Sequence, residues 1–308
     1  MNKTRLLAAL SLIALASPSL AHRQWLLPST TVVSGTDDWV TVDAAISNDL
    51  FFPDHFAMNT DGIKLWAPDG TPAQIENAAK GRYRATFDVH LVKPGTWKVG
   101  TVDSSVGGTF KVGGEDWSVG RRRGPPPGPV GAAMGAPGRA PGAARPQGGG
   151  EGGPRPTIAP GHSVATVAEI PASATDLKLT EMSSQNVVFL TAGAPTDGVF
   201  KPTNTGLEMI PITHPSALVS NEPGRFRFLV DGKPAAGLKV TVIPGGKRYR
   251  SSEDAQELTA GADGVLSVKW TVPGMYWLNA TLTDGRATTP RATQRRMSYT
   301  TTLEVQAP

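Results

Sequence analysis

The sequence predicts an all-β protein, and three observations carry that reading. Its apolar residues fall in short runs rich in Val, Thr and aromatics, such as "WVTVDAAI", "TWKVGTV", "NVVFLTA" and "LKVTVI", which is the composition of strands. Gly, Pro and Asp-Gly pairs separate these runs, as turns require. No stretch beyond the first 21 residues sustains a helical period.

The chain opens with Lys3 and Arg5, an apolar run from Leu6 to Ala16, then Pro18 and the small-residue end Ser19-Leu20-Ala21. This pattern predicts a secretory signal peptide over residues 1–21 and an exported, periplasmic product. No later stretch reaches the roughly 20 apolar residues of a membrane helix, so the chain is not expected to span a membrane. With no Cys in the sequence, disulfides and thiolate metal sites are excluded. His, carboxylates, Met and the terminal amine remain as ligands.

Without the signal, 28 Lys and Arg face 26 Asp and Glu, a net charge of +2. The segment 121–156 holds six Arg and one Glu, leaving the rest of the mature chain at −3. The basic character therefore belongs to one insert, and no nucleic-acid partner is expected. That insert, "RRRGPPPGPVGAAMGAPGRAPGAARPQGGGEGGPRPT", has almost no large apolar side chains and is expected to be disordered.

A weak internal echo divides the rest. "DGIKLWAPDG" followed by "YRATFDVHLVKPGTWKVGTV" parallels "DGKPAAGLKVTVIPGG" followed by "DGVLSVKWTVPGMYWLNATL". In each half a strand ends near Pro-Gly and the next begins with an aromatic. This order fits two immunoglobulin-like or prealbumin-like β-sandwich domains, over residues 22–205 and 206–308, with the boundary near Thr203 to Gly206.

The candidate chemistry is histidine chemistry. Cleavage after Ala21 would leave His22 with a free α-amine beside its ring Nδ1, closing a six-membered chelate suited to Cu(II), Ni(II), Co(II) or Zn(II). In "FFPDHFAM" an apolar loop is expected to bring Asp54, His55 and Met58 together, shielded by Phe51, Phe52 and Phe56. In "FDVHLV" period-two alternation puts Asp88 and His90 on one face of a strand. There they could share a metal, or Asp88 could orient the His90 ring. His214 in "THP" reads as a structural turn, and His162 adjoins the insert. The sequence contains no nucleophile elbow, phosphate loop, His-Glu-x-x-His or dinucleotide fingerprint.

"AHRQWLLPS", "VDAAISNDLFFPDHFAM", "TGLEMIPITHP", "FRFLVDGKPAAGLKVTVIPGGKRYR" and "SYTTTLEV" resemble a bacterial domain-of-unknown-function family of exported proteins. Its members are often labelled the periplasmic component of a cobalt or nickel ABC-type uptake system. The resemblance implies a non-enzymatic periplasmic protein that binds a divalent transition metal, Ni, Co or Cu. It also implies an inner-membrane metal transporter or an outer-membrane receptor as partner. His22 and His55 lie in matching stretches. Two other readings fit the residues: a structural or carbohydrate-facing β-sandwich module, and a copper-dependent oxidase with a terminal-His site.

Overall fold

The strand Ala85–Leu91 shows strict alternation of buried and partly exposed side chains, with Ala85, Phe87, Val89 and Leu91 inward and Thr86, Asp88 and His90 outward. A computed structural model describes residues 22–120 and 158–308. The expected signal peptide and the expected disordered insert at 121–156 lie outside the described residues.

Counting strands of four or more residues, the first part of the chain forms β1 (Arg23–Pro28), β2 (Asp38–Ser47), β3 (Ile63–Trp66), β4 (Glu76–Lys80), β5 (Ala85–Leu91), β6 (Gly95–Val112), β7 (Glu115–Val119) and β8 (Thr175–Ala192). The second part forms β9 (Leu207–Pro211), β10 (Gly224–Val230), β11 (Lys239–Pro244), β12 (Gln256–Thr259), β13 (Val265–Val268), β14 (Gly274–Asp284) and β15 (Gln294–Val305). The all-β sandwich class read from the sequence is the class observed. Among the described residues the only helices are 3-10 turns of three residues, and none is long and apolar enough to cross a membrane.

Three sheets build the molecule. One runs in the order β1-β2-β5-β4, a second is the long sheet β7-β6-β8-β15-β14-β11-β12 with β3 on β6, and a third joins β9, β10 and β13. The long sheet is continuous from the first part of the chain to the second, because β8 pairs antiparallel with β6 and parallel with β15.

Strand β8 explains why two cores coexist. Its side chains alternate, and both faces are covered: Val188, Leu190 and Ala192 enter a core with Leu26, Val42, Phe87 and Trp97, while Val187 and Phe189 enter another with Phe226, Phe228, Leu278 and Tyr299. A strand buried on both faces reads as a continuous apolar run; "NVVFLTA" is that run. The segment Thr203 to Gly206, where the sequence places a domain boundary, precedes β9, the first strand of the third sheet.

Tyr276 closes one end of the second core. Its ring is buried, and its hydroxyl donates to the Val272 carbonyl at 2.7 Å while accepting from the Val272 and Thr271 amides at 3.0 and 3.1 Å. Tyr276→Phe strands two backbone donors and should cost about 2 kcal/mol. The urea midpoint at unchanged slope measures this; a loss under about 0.5 kcal/mol would show that solvent replaces the hydroxyl.

Candidate metal site

Two segments distant in sequence meet at the start of β1. Arg23 pairs with Ser47 in the β1-β2 register, which sets His22 beside the loop that leaves β2. That loop is shaped by Asp54, whose carboxylate accepts from the Asn48 amide at 3.0 Å and from its side-chain amide at 3.4 Å. Phe51 adopts a φ of 61°, a region that bulky residues seldom enter, with its ring edge-on to Trp25 at 5.7 Å. The outcome is that the His22 and His55 rings stack, centroids 3.6 Å apart and planes 12° from parallel, with Phe56 tilted against His55 at 3.9 Å.

Burial, then the neighbouring His22 imidazole, hold the His55 imidazole below its ordinary value, against the opposing pull of Asp54. A neutral imidazole is the form that ligates metal. Ring geometry sets a condition on binding. An imidazole nitrogen binds in the plane of its ring, and two nearly parallel planes 3.6 Å apart share no point near their nitrogens. An ion on the His22 ring alone requires no change at His55, whereas a single ion held by both rings requires one ring to turn about its side-chain torsion. His22 is exposed and His55 only partly buried, so such a turn is sterically cheap.

A family model described as Domain of unknown function (DUF4198) matches residues 19–284. The chain belongs to the DUF4198 family. No curated protein matches the sequence. Among solved structures the DUF4198 chain is similar to the D0-D1 domain of intimin, at 10% identity and a TM-score of 0.20, covering 91% of this chain and 97% of that one. It is also similar to the human OSCAR ligand-binding domain, at 11% identity and a TM-score of 0.18 over 92% and 100% of the two chains. A third is Escherichia coli alpha-2-macroglobulin activated by porcine elastase, at 9% identity and a TM-score of 0.19, covering 93% of this chain and 31% of that one.

The other histidines of this DUF4198 member stand apart from the pair. His90 lies opposite Trp39 in the β2-β5 register, so the length of β2 separates it from His22, roughly 25 Å at ~3.3 Å per residue. Asp88 and His90 do share the outer face of β5, as alternation requires, yet each takes its own partner. His90 Nε2 hydrogen-bonds Asp37 at 2.7 Å and its ring stacks on Trp39, while Asp88 accepts from Thr41 at 2.6 Å and Asn77 at 2.9 Å. Side chains two residues apart on a strand lie roughly 7 Å apart, and nearer groups on the neighbouring strands win.

Met58, which the loop reading groups with Asp54 and His55, is buried in the first core. His214 caps a 3-10 turn: Nδ1 accepts from the Ser216 amide at 3.1 Å and Nε2 meets Thr96 Oγ1 at 3.0 Å. Burial lowers the His214 pKa below its ordinary value, in keeping with that structural part. His162 stacks on Trp117, 4.5 Å between centroids.

Among the described residues no three His, Cys, Asp or Glu side chains are grouped to hold a metal ion. The site at His22 and His55 offers two imidazoles. Sequence reasoning missed the loop Pro244–Asp254, which packs on both His-bearing segments. Its string "GGKRYRSSED" carries no ligand pattern, and only the fold brings it near.

Proposed function

We propose that this DUF4198 protein is an exported, periplasmic binding protein for a divalent transition metal, Ni, Co or Cu, taken as cargo at a centre formed by His22 and His55. The observation that carries the reading is the contact of these two imidazoles, 33 residues apart in sequence, at 3.6 Å. Cleavage after Ala21 supplies the third donor, the amine of His22. Nitrogen donors of this kind favour copper and nickel over softer or harder ions. Asp54 shapes the loop and is already engaged by Asn48, so it stands behind His55 and not on the ion. Delivery to an inner-membrane metal transporter, or receipt from an outer-membrane receptor, follows from this reading as the partner chemistry.

Competitive titration of the processed protein, its N-terminus confirmed by mass spectrometry, tests the proposal against His22→Ala and against a form with one residue added before His22. One tightly bound ion per chain is expected, with affinity lost in both altered forms. Equal affinity in the extended form would remove the amine, and with it the proposed centre. Affinity should also fall as pH drops through the histidine range, because protons compete for the same nitrogens; binding unchanged between pH 7.5 and pH 5 would point to oxygen ligands elsewhere.

A further inference from the structure

One loop of the second half touches each segment that carries the candidate centre. Glu253 receives the Arg23 guanidinium on both carboxylate oxygens, one of these contacts at 3.1 Å, and so holds the residue next to His22. The Arg23 guanidinium also lies over the Trp277 ring at 5.5 Å. Lys247 approaches Asp49 at 3.7 Å, and the Arg248 guanidinium sits 3.6 Å from the centroid of the Phe52 ring. Gly245 backs Phe51 so closely that a Cβ there would come 2.8 Å from the ring.

The loop is itself held in shape. Arg250 donates to the Gly245 and Pro244 carbonyls at 2.6 and 3.0 Å and pairs with Asp254 at 2.8 Å. The left-handed backbone of Phe51 points the same way, since such a conformation persists in a bulky residue where its surroundings over-determine it. Trp25 and Gly245 are those surroundings.

We infer that the loop Pro244–Asp254 is a clamp that sets the spacing of His22 and His55, with Glu253 and Arg248 as positioning residues for the ion. The inference rests on the proposed reading that both imidazoles serve one ion. Both act through the neighbours of the histidines, Glu253 on Arg23 and Arg248 on Phe52. Their part is to keep the second imidazole at a high effective concentration once the first has bound. With the clamp loosened, the ion stays on the His22 chelate and loses His55.

The test uses the processed full chain with Cu(II) as probe, comparing wild type, His22→Ala, His55→Ala, Glu253→Gln, Arg248→Ala and the double Glu253→Gln/Arg248→Ala form. Competitive titration and electron paramagnetic resonance are read together, with the thermal midpoint as a check on folding. The double variant should bind Cu(II) about 10- to 100-fold more weakly, and its spectrum should match that of His55→Ala, with one fewer imidazole nitrogen. Swapping charges with Arg23→Glu/Glu253→Arg should recover affinity relative to Glu253→Arg alone, and this keeps the test decisive if the double variant melts early. The clamp is overturned if wild type binds, His22→Ala does not, and the clamp variants keep both affinity and spectrum. Absence of Cu(II) binding by wild type overturns the metal reading itself, and the clamp with it.

Discussion

Gly100→Ala should destabilise the protein by about 4 kcal/mol and lower its thermal midpoint on the order of 10 °C. Gly100 lies within β6, an interior strand of the long sheet, opposite Val187 of β8 and Lys64 of β3. A Cβ built on it would come 2.1 Å from the Asn186 carbonyl oxygen and 2.7 Å from the Val187 Cα, both backbone atoms, and its φ of +153° is one that L side chains rarely adopt. Nothing there can swing aside as a flexible side chain would. Relief would require β6 and β8 to separate, and β8 lines both cores while β6 gives Trp97 and Val99 to the first. Gly62 supplies the control, because a Cβ there meets nothing within 4 Å. Gly62→Ala should stay within about 0.5 kcal/mol of wild type. Calorimetry decides the matter: a Gly100→Ala midpoint within roughly 2 °C of wild type would mean the strands separate without cost.

Arg295→Met should cost about 3 kcal/mol at pH 7 and change how stability responds to acid. The Arg295 guanidinium is buried and forked across two carboxylates. It meets Asp231 at 3.0 and 2.9 Å and Asp284 at 3.2 and 2.8 Å. These bonds tie the turn after β10 to the end of β14 and the start of β15. Removing this cation leaves the two carboxylates with the more exposed Arg286 alone, which meets Asp231 only at 3.9 Å and Asp284 at 3.1 Å. Both carboxylates are partly solvated, 33% and 18% exposed, which keeps the cost at the lower end for a broken buried pair.

Hydrogen bonds from Arg295 hold Asp284 down to about 2 and keep Asp231 below its ordinary value. As pH falls through about 4, unfolded carboxylates take up protons first. Stability is therefore present above that pH and is lost as pH drops towards 2. In Arg295→Met the two carboxylates have lost that partner, so their protonation costs the fold less and the gap between variant and wild type should narrow in acid. Urea midpoints at pH 7 and pH 3 give the comparison. A gap that stays constant would place the effect in packing of the Arg stem.

Much of the fold was legible because strand signals are local. "FDVHLV" and "WVTVDAAI" alternate in sequence as they do in space, so the inward Phe87, Val89 and Leu91 and the outward Asp88 and His90 could be read directly. The reading was incomplete where strands run on through polar residues. Both β6 and β8 continue beyond their apolar runs into "DSSVGGTFKV" and "TDLKLTEMSSQ", held by a ladder of mutual backbone hydrogen bonds and by a small cluster in which Phe110 and Leu179 meet Val119 and Ile170 from neighbouring segments. Strand β1 was missed for a related reason. It is six residues long, and its burial depends on Trp277 and Ile243 arriving from the second half.

By itself the sequence determined the all-β class, the candidate histidines, the outward face that Asp88 and His90 share on β5 and the absence of thiol chemistry, because composition and a period of two are properties of neighbouring residues. Only the tertiary structure decided which candidates meet. It set His22 against His55, gave His90 to Asp37 and Asp88 to Thr41 and Asn77, sent Met58 into the core, and brought Glu253 and Arg248 onto the segments that carry the pair. The physical reason is register. A contact between residues 22 and 55, or 23 and 253, depends on how strands align across a sheet and on where loops close, and the energy that selects that alignment is the burial of both faces of β8 between two cores.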